Sequence, residues 1–179
     1  AIATGCSNAG IAQTAPARVG ASCPAMPVVA PEAAAVRLMV TPGSGSGVAL
    51  TRNELTFDPA LLEFVPDSAV AGPACQAING TARCVLTEAG RVRCQCFSTD
   101  PSLAGVAIPA GEVMTLRVRP LGCPASGRIA VGNTAGGATT DVPPLPTGDG
   151  PGEGCQIACR GGLPPTGCSA ERAGDVDGD

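Results

Sequence analysis

The chain contains no Lys, no His, no Trp and no Tyr, and 3 Phe are its entire aromatic content. These absences remove most catalytic repertoires. Without His or Lys there is no Ser-His-Asp or Cys-His nucleophile system, no Schiff base, no lysine-bearing phosphate loop and no Cys/His zinc site. The formal net charge of -4 and the scarcity of rings for base stacking argue against nucleic acid as a partner. Carbohydrate is disfavoured as well, because sugar-binding faces usually need flat Trp or Tyr platforms. No stretch approaches the ~18 uninterrupted apolar residues of a membrane helix, so no membrane span is expected.

What remains is abundant in cysteine and turn formers. The 179 residues correspond to one compact domain with extensions, since domains average roughly 150 residues. Gly 25 and Pro 18 promise many turns and loops. The 10 Cys are far too many for an ordinary cytosolic protein and point to an oxidising, extracellular or cell-surface setting. With no charged, apolar leader at its start, the sequence reads as an already processed secreted chain.

Residues 1–33 read as an extended Ala/Pro-rich arm carrying Cys6 and Cys23, because prolines at 16, 24, 27 and 31 forbid a continuous helix. From Val36 the pattern has period two. Val36, Leu38 and Val40 alternate with Arg37 and Met39, Val92, Cys94 and Cys96 with Arg91, Arg93 and Gln95, and Met114, Leu116 and Val118 with Thr115, Arg117 and Arg119. Val48 and Leu50 fall out of phase with Leu55 and Phe57, which predicts a bulge near Arg52 and Asn53. Asp58-Pro59 marks a turn before Leu62 and Phe64; GRIAV and ATTDV are weaker strand candidates. Short strands between Gly/Pro signals predict an all-β antiparallel sandwich over 34–145, with a linker and Cys-rich tail over 146–179.

Asn79-Gly80 suits a type I′ hairpin turn. Counting outward from it sets Cys75 opposite Cys84 at a non-hydrogen-bonded position, about 4.5 Å apart, so a Cys75–Cys84 bridge is expected. The pairing of Cys6, Cys23, Cys94, Cys96, Cys123, Cys155, Cys159 and Cys168 is not specified by spacing. Parity still constrains it: the sandwich segment holds Cys75, Cys84, Cys94, Cys96 and Cys123, an odd number, so full oxidation requires a bridge from the sandwich to an arm or to another molecule. Arg91, Arg93, Arg117 and Arg119 form one candidate cationic stripe; solvated strand faces are the ordinary explanation. Glu54/Asp58 carry no glycosidase spacing.

LTFDPALLEF followed by IPAGEVMTLRVR resembles the cohesin-like modules of bacterial extracellular proteins, over roughly residues 34–145. The resemblance implies a nine-stranded jelly roll that binds a partner protein through one sheet face and catalyses nothing. GDVDGD resembles the start of a dockerin-type calcium loop, with Asp175, Asp177 and Asp179 at loop positions 1, 3 and 5, where their carboxylates would reach one Ca²⁺. The segment cannot complete that shell alone. The functional expectation is a secreted, non-enzymatic structural subunit that self-assembles as a homo-oligomer or polymer into an extracellular fibre or matrix, stabilised by disulfides and Ca²⁺. The alternative is a cohesin-type protein-binding module of a cell-surface complex.

Overall fold

A computed structural model describes residues 17–41, 43, 48–103, 105–139 and 151–161. Its strands, in chain order, are β1 (Arg18–Ser22), β2 (Val28–Val29), β3 (Ala34–Thr41), β4 (Val48–Thr56), β5 (Leu62–Phe64) and β6 (Val70–Ala71). One helical turn, α1 (Pro73–Gln76), precedes β7 (Gly80–Glu88), β8 (Arg91–Ser98), β9 (Gly111–Pro120), β10 (Arg128–Thr139) and β11 (Pro151–Arg160). They form two sheets: a five-stranded one ordered β1-β3-β9-β5 with β6 also on β9, and a six-stranded one ordered β2-β11-β10-β4-β8-β7. All pairings are antiparallel except β2 with β11. The all-β sandwich expected from period-two patterning is present.

The inward phases follow the sequence pattern. Val36, Leu38, Val92, Cys94, Cys96, Met114, Leu116 and Val118 are all buried, as are Leu62 and Phe64 beyond the Asp58-Pro59 turn. Each large aliphatic side chain buried in this way contributes about 1.5–3 kcal/mol. β9 departs from strict alternation at one place: the register slips between Leu38 and Met39, and both Val113 and Met114 are buried. In β4 the expected bulge near Arg52 and Asn53 is absent, since Thr51 to Thr56 pair with β8 without interruption. The irregularity lies instead at Ala138/Thr139, opposite Val48 and Leu50. Thr51 and Asn53 are the buried residues that complete the inward phase with Leu55, and their polarity conceals that phase in the sequence.

The expected domain limits need correction at both ends. The arm supplies β1, which pairs along β3 from Arg18↔Thr41 to Ser22↔Arg37. The tail supplies β11, which pairs with β10 from Arg128↔Ala158 to Thr134↔Pro151. Both segments are thus strands of the sandwich. Cys155, Ile157 and Cys159 form the inward-facing phase of β11, with Ile157 and Cys159 buried. This is the period-two signal that a Cys- and Gly-rich setting obscured.

The Cys75–Cys84 expectation is also overturned. Pro73 opens α1 and the helical turn carries the chain to Asn79, whose φ of 48° ends it, so the positive φ of Asn-Gly is spent on leaving a helix. The true hairpin joins β7 to β8 across Ala89-Gly90, with Gly90 at φ 74°. That register sets Cys84 opposite Cys94, and these two are bridged; Cys75, on α1, bridges Cys96. The parity expectation holds: Cys123–Cys159 links the loop before β10 to β11, and Cys23–Cys155 links the arm to β11. Cys6 and Cys168 lie outside the described residues.

Gly90 is required by its surroundings as well as by its φ. A Cβ there would strike the carbonyl oxygen of Phe57, whose N–H donates to Gly90 O at 2.9 Å. Gly90→Ala is therefore expected to cost about 1–2 kcal/mol, read as a lower urea midpoint with unchanged slope. An unchanged midpoint would show that the hairpin adopts a different turn.

Candidate partner-binding face

In the six-stranded sheet, β4, β8 and β7 lie side by side, and residues directly opposite one another share a face. Register therefore builds rows. Inside, Asn53, Cys94 and Cys84 form one row and Thr51, Cys96 and Ala82 the next. Outside, the rows are Arg52, Gln95 and Arg83; then Glu54, Arg93 and Val85; then Thr56, Arg91 and Glu88.

Two of the outer rows neutralise themselves. Glu54 sits 3.3 Å from Arg91 Nε and 3.7 Å from Arg93 Nη2, and Arg91 Nε also meets Glu88 Oε1 at 2.9 Å. These pairs are partly exposed and each adds no more than about 1 kcal/mol to stability. Their larger effect is on the local potential, which they cancel. The remaining row has no such compensation: among the described residues, no acidic side chain lies within ion-pair distance of Arg52 or Arg83, both exposed. Two strand spacings separate them, about 10 Å, with Gln95 between as a neutral donor and acceptor.

Beside β4 the face is low at two positions. The β10 residues opposite Arg52 and Thr56 are Gly136 and Gly132. Neither has a side chain, and a Cβ at Gly132 would come 2.5 Å from Thr56 Oγ1. Thr134, exposed opposite Glu54, stands between the two glycines, so the cationic ridge on β4, β8 and β7 is bordered on β10 by two side-chain-free positions on either side of one threonine.

The four arginines expected to make one stripe do not come together. Arg91 and Arg93 are on β8, whereas Arg117 and Arg119 are on β9 in the five-stranded sheet, facing outward on the opposite side of the sandwich. Arg119 pairs with Glu63 at 3.3 Å, and Arg37 with Glu112 at 3.6 Å, on that second face. Among the described residues, Arg52 and Arg83 carry the charge without an acidic partner instead. The signal for them is nonlocal, because it appears when β4 and β7 are known to flank β8.

Other sequence candidates have structural roles. Cys94 and Cys96 are buried half-cystines, Glu54 is engaged with arginines, and Asp58 Oδ1 accepts from Ala60 N–H at 2.9 Å, so no carboxylate dyad forms. The Asp100 carboxylate is held below its ordinary range by bonds from the Ser102 hydroxyl and backbone N–H. Among the described residues no group of three or more His, Cys, Asp or Glu could hold a metal, and no helix is long and apolar enough to cross a membrane. Asp175, Asp177 and Asp179, the Ca²⁺ candidates, lie outside the described residues.

No family model matches this sequence, and no curated protein does. Solved structures do match in fold. A cohesin module from a Clostridium perfringens family 33 glycoside hydrolase is similar with a TM-score of 0.58 at 13% identity, over 82% of this chain and 98% of that one. The cohesin of a type I cohesin–dockerin complex from Clostridium thermocellum gives 0.57 at 12% identity, over 80% and 99%. The sixth cohesin of scaffoldin B from Acetivibrio cellulolyticus, solved with a dockerin, gives 0.54 at 16% identity, over 74% and 91%. The fold is cohesin-like.

Proposed function

We propose that this chain is an extracellular, non-catalytic protein-binding module that receives a partner on the outer face of its six-stranded sheet. The observation that carries the reading is the Arg52, Gln95 and Arg83 row, an uncompensated positive strip on an otherwise self-neutralised face. A rigid sheet pre-organises the strip, so little side-chain and backbone ordering is required on contact. Charge of this kind favours an acidic partner surface and raises its rate of encounter. The side-chain-free positions at Gly132 and Gly136 let partner side chains approach the backbone on either side of Thr134.

The cohesin-like fold directs the choice of probe, since two of the structurally similar cohesins were solved with dockerins. The four disulfides among the described residues fit the oxidising compartment in which such a module would work. Purified type I and type II dockerins, immobilised and exposed to the full chain, test the proposal by interferometry. Binding is expected to weaken at least about tenfold in Arg52→Glu/Arg83→Glu, mainly through association rate and with a reduced salt dependence. Equal binding by the variant, or no binding to either dockerin class, would overturn it. A second reading, assembly from identical copies, is favoured by one observation: the open outer edge of β7.

A further inference from the structure

β7 is the last strand of the six-stranded sheet, and its one strand partner is β8. The Cα atoms of Cys84 and Cys94 are 4.1 Å apart, the spacing of a non-hydrogen-bonded antiparallel pair. The N–H and C=O of Cys84 therefore point away from β8. By the two-residue period so do those of Ala82 and Leu86. No backbone hydrogen bond reaches this outer edge among the described residues.

Natural sheets shield such edges with Lys, Pro, inward charges or a covering element. From Ala82 to Glu88 there is no Lys and no Pro; α1 packs against the strand near its start and β6 lies close to it, but neither donates or accepts a backbone hydrogen bond at its outer edge. Apolar surface lies on both sides of the edge instead. Val85 is 38% exposed on the outer face and Leu86 56% exposed on the inner one. Val70, on the neighbouring β6, is 63% exposed.

We propose that two copies of this chain pair antiparallel through β7, about a twofold axis at Val85, joining their six-stranded sheets into one. The occupant follows from complementarity of the edge with itself. As far as Leu86, beyond which the register with β8 slips before Glu88, backbone groups available for pairing belong to even-numbered residues, so Cys84 of one copy bonds to Leu86 of the other, and Val85 meets its own symmetry mate on the outer face. Arg83, which has no ion-pair partner among the described residues, then lies diagonally across from Glu88 of the second copy, also on the outer face, where the Glu88 carboxylate that meets Arg91 with one oxygen can take a second cation. The neighbouring register, centred on Cys84, would place Arg83 opposite Val85 and move Glu88 out of reach. The contact needs no other protein, so it goes beyond the partner-binding reading and is tested without a dockerin.

Light scattering coupled to size exclusion, across a concentration series of the full chain, supplies the measurement. A concentration-dependent dimer is expected. Leu86→Pro removes an N–H that points away from β8, breaking no intrachain bond, and is expected to give monomers with an unchanged circular-dichroism spectrum. Should that variant fail to fold, charge exchange decides the matter. Arg83→Glu alone sets acid against Glu88, and Glu88→Arg alone sets base against Arg83, so each is expected to dimerise at least about tenfold more weakly than the parent. An equimolar mixture of the two restores opposite charges at both contacts and is expected to dimerise. A parent that stays monomeric at every soluble concentration, or a dimer indifferent to both single charge variants, would overturn the proposal.

Discussion

Replacing Cys23 and Cys155 together by alanine is expected to lower the unfolding free energy by about 3–5 kcal/mol, the largest loss from any single bridge among the described residues. The bridge joins residues 132 apart in sequence. In the chain-entropy model a loop of that size restricts the unfolded ensemble by about 5 kcal/mol at 25 °C, against about 2.7 for the 10-residue separation of Cys84–Cys94. The folded side of the balance points the same way. β2 is two residues long, Val28 and Val29, and its parallel pairing with Cys159 and Arg160 cannot hold the arm by itself. Cys23–Cys155 sits between β1 and β2 and fixes the arm to β11, which also packs against β1. Urea titration with two probes is the check, with hydrogen exchange over residues 23–33 rising before global unfolding. A loss below about 1 kcal/mol would mean that strand pairing alone seats the arm and that the bridge is incidental.

The strands legible in the sequence are those whose apolar side chains keep phase. Val36, Leu38 and Val40 in β3 and Met114, Leu116 and Val118 in β9 announce both the strand and its buried face. β4 is harder to read, because Thr51 and Asn53 occupy inward positions and break the apolar phase. β11 is hidden differently: its inward residues are Cys155, Ile157 and Cys159, set among glycines that suggest a linker. The disulfide error has one origin, the use of Asn79's positive φ. Asn-Gly fits a hairpin turn and the end of a helical turn equally well locally, and burial of Ala74, Cys75 and Ile78 selects the latter. The Arg52 and Arg83 row was beyond local reading, since neither residue is distinctive until β8 lies between their strands and the acids on the same face are seen to serve other arginines.

The buried amide pair Asn53 and Asn133 leads to the second large expected effect. Asn133 Nδ2 donates to the carbonyl oxygen of Val19 at 2.9 Å, and its Oδ1 accepts from Asn53 Nδ2 at 2.9 Å. One side chain thus connects β10 of the six-stranded sheet to β1 of the five-stranded sheet, where β1 is the outermost strand among the described residues. Asn133→Ala strands two buried polar groups, the Val19 carbonyl and the Asn53 amide, each costing about 1–3 kcal/mol when left unsatisfied, so a loss of about 2–4 kcal/mol is expected. Asn53→Ala strands one new group, Asn133 Oδ1, while removing Asn53 Oδ1, which already has no partner. Its cost should be smaller. Once Asn133 is gone, removing Asn53 also removes a group with nothing to bond, so the double variant should lose about 0.5–3 kcal/mol less than the sum of the single losses. Urea denaturation of the four proteins closes this cycle. Additive losses would show that the two amides act independently, and a cost below about 1 kcal/mol for Asn133→Ala would show that the Val19 carbonyl finds another donor and that Asn133 does not hold the two sheets together.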